Sequence, residues 1–269
     1  LRAREASRLE AGPQPSRRSL AAAPRCGREA ACQAGTAGLE QRGRHSATPP
    51  AAGCGYTRRR GDFESRMDNV DSARFPRLAA YLRFLPEGLA SYPGCQAKGA
   101  LVRAILDREP LADVSDDALP AEVRGLITTP PANSAWVSDL VFFGALLALA
   151  DYRRMDDARY RAWLHEANNR LFKGPVYRAL LSLTSPGVML TLCSSTWSTL
   201  HRGTTLKVAD SGKGFAVADL TFPERAYDRA VLVAIEVALQ VALEQSSVKP
   251  VMATTASTAT SARFEARWS

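Results

Sequence analysis

Between Thr204 and Trp268 the hydrophobic period of the chain changes twice, from two residues to three or four and back to two. Few folds accommodate that order. Thr204–Ala209 and Phe215–Phe222 read as paired strands turning at Ser211-Gly212-Lys213-Gly214, with Pro223 closing the hairpin. Residues 225–245 then read as a helix with Val231, Leu232, Ile235, Ala238, Leu239, Ala242 and Leu243 on one side. Glu236, Gln240 and Glu244 recur every four residues and are expected to form its single wet stripe. Val248–Thr254 is a third strand, with Pro250 near its start. Ser261–Trp268 alternates strictly, Ala262, Phe264, Ala266 and Trp268 against Arg263, Glu265 and Arg267, as a half-buried antiparallel strand does. The order is ββαββ, a sheet carrying one buried helix.

The stretch before it is helical in period. Leu78, Tyr81, Leu82 and Leu85 share a face that Pro86 ends, and Cys95–Leu106 carries a second apolar face. A short helix is expected over Leu119–Ile127. Another is expected from Trp136 to about Tyr152, with Asn133 or Ser134 as its N-cap and apolar residues all round from Leu140 to Ala150. That apolar run is too short to cross a bilayer, so it belongs in a core. Residues 156–172 are amphipathic, with Arg153–Asp157 and Asp157–Arg161 spaced to pair on the wet face. Gly174-Pro175 separates this helix from the next. Residues 179–200 carry no charge, but they hold nine Ser or Thr and the break Ser185-Pro186-Gly187, which reads as two helices and no membrane span. Trp197–Val208 joins the two halves, with Gly203 as the helix stop.

The net charge of +8 suggests an acidic partner until it is located. Residues 1–66 hold 13 Arg, no Lys and 6 acids, whereas residues 67–269 hold 22 basic and 21 acidic residues. The basicity belongs to an Arg/Ala/Gly/Pro-rich tail, expected to be disordered because it has too little apolar surface to offset its chain entropy. The first methionine is Met67, and the native product is expected to begin there, with 67–269 as a single domain (helices about 75–201, sheet unit 202–269). Cys26, Cys32 and Cys54 lie in the tail; Cys95 and Cys193 alone lie beyond it, which is no disulfide framework. A cytoplasmic protein follows, with no sequence-specific nucleic-acid partner.

No motif identifies a reaction: G-x-S-x-G, H-E-x-x-H and G-x-G-x-x-G are absent. Ser211-Gly212-Lys213-Gly214 is a hairpin turn, since a phosphate loop would need Gly where Lys207 stands. His165 sits just off an apolar stripe, where a half-exposed surface role is expected. His201 and Arg202 fall at a helix C-terminus, where they can serve as cap or, functionally, as an acid–base pair or anion clamp. Trp136, Trp163 and Trp197 are ligand-contact candidates or plain core. Asp116-Asp117 and Asp156-Asp157 point apart on a helix and read as solvated. Cys193 reads as a small buried hydrophobe.

The segments W-V-S-D-L (136–140), L-F-K-G-P-V-Y-R-A-L (171–180), S-P-G (185–187), L-H-R-G-T-T-L (200–206) and the closing A-R-F-E-A-R-W resemble an uncharacterised family of myxobacterial proteins over about 72–269. That family carries no known activity. The helices-then-ββαββ plan is similar to haem–nitric-oxide-binding and vinyl-reductase-like ligand-binding domains. In the haem-binding members a helical His holds iron and a Tyr-x-Ser-x-Arg motif holds the propionates. This chain lacks that motif, so no cofactor is expected and haem through His165 or His201 is set aside.

The expected architecture is α+β: a helical half packed on a C-terminal ββαββ antiparallel sheet unit, preceded by a disordered tail. The expected function is a non-enzymatic sensory or small-molecule-binding module enclosing an apolar ligand between helices and sheet, with His201, Arg202, Trp197, Trp163 and Trp136 as candidate contacts and no metal. The alternatives are a protein-interaction domain, for example a homodimer, and an enzyme using His201 and Arg202 on a small anionic substrate. A closed apolar cavity favours the first, and a solid core with an exposed apolar patch the second.

Overall fold

The computed structural model describes residues 70–106, 111, 114–115, 117–173, 185–246 and 248–269. The expected tail, Met67, Asp116 and the helix expected after Gly174-Pro175 lie outside the described residues. Seven helices occur among those described: α1 (Pro76–Phe84), α2 (Gly99–Leu106), α3 (Ala121–Thr128), α4 (Asp139–Tyr152), α5 (Asp157–Phe172), α6 (Pro186–Leu200) and α7 (Arg229–Glu244). The strands are β1 (Pro86–Leu89), β2 (Gln96–Lys98), β3 (Trp136–Ser138), β4 (His201–Arg202), β5 (Thr205–Gly212), β6 (Phe215–Thr221), β7 (Val251–Ser257) and β8 (Ser261–Arg267). The fold is α+β.

Helix α4 is the centre. Twelve of its fourteen residues are buried, so it is enclosed by α1, α3, β2 and β3 instead of lying on them. Its first turn differs from the sequence expectation. Trp136–Ser138 is extended, and the N-cap is Ser138, whose hydroxyl accepts from Val141 N at 3.3 Å. The carboxylate at its far end crosses to another element. Asp151 Oδ2 accepts from Arg77 N at 2.8 Å and Leu78 N at 3.1 Å, taking the free amides of α1, whose own N-cap position is Phe75.

Strands β3-β2-β4 form a small antiparallel sheet that periodicity alone does not reveal, its members being two or three residues long. It turns Cys95–Leu106, expected as one helix, into strand followed by helix. Close approach demands glycine twice nearby. A Cβ on Gly99 would stand 2.1 Å from Ala132 O, and one on Gly203, at φ +75°, would stand 2.8 Å from both Cys95 Sγ and Gly94 O.

The large sheet has the order β5-β6-β8-β7, all antiparallel, as the alternating segments require. Its inward residues Leu206, Ala218, Leu220, Ala262, Phe264 and Ala266 are buried, and α7 packs on β7 and β8. One expectation fails here. The stripe Glu236–Gln240–Glu244 faces α5, not water. Glu236, 4% exposed, accepts from Arg161 Nη1 at 2.7 Å and from Thr254 N and Oγ1 at 2.8 and 2.6 Å. Glu244 meets His165 Nε2 at 2.7 Å. The pairs expected along α5 give way accordingly: Arg161 turns to Glu236, and Asp157 accepts from Arg77 at 2.8 Å. Asp156 is the N-cap of α5, accepting from Arg159 N.

Burial raises the Asp151 carboxyl above its ordinary value of 3.8, against the pull of its two backbone donors. A raised folded-state value means that Asp151 favours folding fully below 3.8 and less as pH climbs through its folded value. The capping oxygen, not the charge, is therefore what α1 needs. Asp151→Ala is expected to cost about 1–3 kcal/mol, while Asp151→Asn keeps most of the stability at pH 7. Denaturant unfolding of the two variants checks it.

Candidate functional site

Helices α2, α4, α5, α6 and α7 surround a cavity of about 310 Å³. Leu101 and Ile105 come from α2, Phe142, Phe143 and Leu146 from α4, and Leu164 from α5. Helix α6 contributes Met189, Leu192, Cys193 and Trp197, and α7 contributes Ala234, Ile235, Ala238 and Leu239. The expected place for such a cavity was between helices and sheet. It lies instead among helices, and His201 is its one lining residue from a strand.

The wall is apolar despite its Ser and Thr because their hydroxyls return to carbonyls. On α6, Thr196 Oγ1 donates to Leu192 O at 2.7 Å, Thr199 Oγ1 to Thr196 O at 2.7 Å and Ser194 Oγ to Leu206 O at 2.9 Å. Asn168 likewise donates to Leu164 O at 2.9 Å. Burial pushes the Cys193 thiol up to about 11, so this wall residue is uncharged at neutral pH.

His201 is the exception. Its imidazole is stacked on Trp197, with centroids 4.2 Å apart and planes 16° from parallel, while Trp197 Nε1 donates to Thr204 Oγ1 at 2.9 Å. His201 Nδ1 stands 3.3 Å from Oδ1 of Asp139, which is fully buried. Neither atom achieves the alignment a hydrogen bond requires. The other carboxylate oxygen, Oδ2, accepts a hydrogen bond from Tyr227. Asp139 opens α4, where the helix dipole favours negative charge. Burial, followed by the Asp139 charge, pushes the Tyr227 and Tyr81 phenols well above their usual range and the Cys95 thiol up to about 11.

Of the five candidate contacts, the structure brings His201 and Trp197 to the cavity and leaves the other three elsewhere. Successive residues of a strand point to opposite sides, so Arg202 leaves the protein where His201 enters it. The Arg202 guanidinium lies 3.9 Å over the Trp136 ring, which Lys98 also approaches at 4.5 Å. Trp163 packs beside Tyr160 under a surface depression shared with Arg153 and Arg159. His165 is held by Glu244 and lies off the cavity. Capping by His201 is a backbone matter, its N–H reaching Trp197 O; neither side chain of the His201–Arg202 pair turns to the helix carbonyls. Sequence reading missed Asp139 and Tyr227. A signal for the first existed: Asp139 is the last charge before an apolar run that has to be buried.

No family model matches the chain, and no curated protein does. Solved structures similar to it are H-NOX proteins. The unliganded Fe(II) protein from K. algicida shares 14% identity over 64% of this chain and 96% of its own, with a TM-score of 0.42. An oxygen-binding H-NOX domain related to soluble guanylate cyclases shares 6% over 63% and 92%, at 0.43. The Fe(II)NO form from S. oneidensis shares 11% over 64% and 99%, at 0.42. At such scores the likeness carries no argument about this chain's ligand. The expectation of no cofactor, with haem set aside, is withdrawn, since heme is the subject of structures in the same group of matches. Among the described residues no helix is long and apolar enough to cross a membrane, and no cluster of three metal-ligating side chains occurs.

The two thiols beyond the tail yield a direct test. With values near 11, alkylation of Cys193 by iodoacetamide is expected to rise about tenfold per pH unit from pH 8 to 9.5, without levelling near 9. Peptide mass spectrometry, resolving Cys193 from the other cysteines, reads the rate.

Proposed function

We propose that this chain is a small-molecule-binding module of sensory type whose ligand occupies the cavity among α2, α4, α5, α6 and α7. The observation that carries the reading is an apolar cavity of about 310 Å³ with one buried imidazole in its wall whose Nδ1 makes no hydrogen bond. Small-molecule sites are typically apolar hollows of roughly 300–1,000 Å³ with few, well-placed polar groups. The His201–Arg202 pair diverges across β4, which removes the basis for the two acting on one anionic substrate. We further infer a cytoplasmic protein of which residues 67–269 form one domain, related to the myxobacterial family by the segments quoted above.

The test uses N-phenyl-1-naphthylamine, a neutral apolar dye that fluoresces when taken out of water. Wild-type protein is expected to bind it, and Ala238→Trp, which fills the cavity from α7, to bind it at least tenfold more weakly (about 1.4 kcal/mol) while melting cooperatively. An unchanged affinity in Ala238→Trp, or no binding by the wild type, overturns the reading. Haemin is titrated in parallel, because the similar structures are of haem proteins; a Soret band that Ala238→Trp abolishes would name the occupant.

A further inference from the structure

The cavity wall presents one group with chemistry left to give, and its surroundings specify what it should meet. His201 is 7% exposed, and Nδ1 is sealed against Asp139 Oδ1 at 3.3 Å. No described side chain hydrogen-bonds Nε2, while the imidazole lies in the cavity lining and is clamped face-on by Trp197. Asp139 can only accept when ionised, and Tyr227 already donates to its other oxygen. The tautomer that suits this carboxylate carries its proton on Nδ1, which leaves Nε2 as an acceptor turned to the cavity. Apart from the weakly polar Cys193 thiol, every other polar side chain named on the wall donates to a carbonyl or, for Trp197, to Thr204. An aliphatic ligand would leave that acceptor buried and unmet, at a cost in affinity.

We propose that the ligand is an apolar molecule bearing a single proton-donating head, a hydroxyl or a carboxylic acid, which donates to His201 Nε2. This deepens the reading above and rests on it. The donated bond draws the imidazole along its ring plane and brings Nδ1–H into line with Asp139 Oδ1. Binding thereby completes a relay from ligand head through His201 and Asp139 to Tyr227. The relay joins β4 to the first residue of α4 and to the segment leading into α7. Asp139 and Tyr227 act as positioning residues, since neither lies in the cavity lining.

Two ligands of the same body test it: naphthalene and 1-naphthol, each displacing N-phenyl-1-naphthylamine from the full chain. The wild type is expected to bind 1-naphthol at least tenfold more tightly than naphthalene. His201→Phe keeps an aromatic ring against Trp197; it is expected to bind naphthalene as the wild type does and to lose the preference for 1-naphthol. Asp139→Asn is expected to reduce the preference, and His201→Gln, which restores an acceptor, to recover part of it. Equal binding of the two ligands by the wild type, or a preference that survives in His201→Phe, overturns the proposal while leaving the cavity reading intact. A dye that never binds the wild type sinks the cavity reading itself, so the two failures are distinct.

Discussion

A helix with no wet side has to be surrounded, and it has to end somewhere. Helix α4 is buried along nearly its whole length, and each end carries a buried carboxylate. Burying a charged or polar group is tolerable only where partners converge on it. Asp151 recruits the first amides of α1, which fixes that helix against the C-terminal turn of α4. Asp139 gathers Tyr227 from the loop before α7 and His201 from β4. Two side chains thus bind to one helix segments more than sixty residues away along the chain. The small sheet β3-β2-β4 follows from the same end, since β3 runs straight into α4 and the N–H of Asp139 donates to Cys95 O at 3.0 Å.

The second half attaches through a polar seam. Arg161 and His165 lie one turn apart on α5 and meet Glu236 and Glu244, two turns apart on α7. Glu236 also accepts from the β7 backbone, so a single carboxylate joins α5, α7 and the large sheet. Removing Arg161 alone would strand a nearly buried charge, which is costlier than losing an exposed pair. The seam holds α5 and α7 together along one side of the cavity, and apolar side chains occupy the face turned inward.

Legibility followed length and period. The strands β5, β6 and β8 and the helices α5 and α7 were readable because each repeats its pattern over seven or more residues. The small sheet was not, because two or three residues carry no period. The helix start at Asp139 was misplaced to Trp136 for a related reason: Asn133 and Ser134 are as good caps as Ser138 in isolation, and only the pairing of β3 with β2 keeps Trp136–Ser138 extended. The Glu236 stripe reads as wet in the sequence because charge at helical spacing says nothing about a partner on another helix. At the site, Trp197 and His201 were visible as residues around a helix stop, whereas Asp139 and Tyr227 reach them only through folding.

Helix α6 forms one wall of the cavity. This helix has no charge, so it cannot anchor by ion pairs, and six of its fifteen residues are Ser or Thr. Its hydroxyls are absorbed by carbonyls, leaving small apolar contacts toward α7 and β5. Only Met189 and Leu190 of its residues are fully buried, where α4 buries twelve. The cavity lies between Met189, Leu192, Cys193 and Trp197 of α6 and Phe142, Phe143 and Leu146 of α4. The C-terminal end of that wall is His201, the residue whose ring completes the cavity and whose Nδ1 faces the buried end of α4.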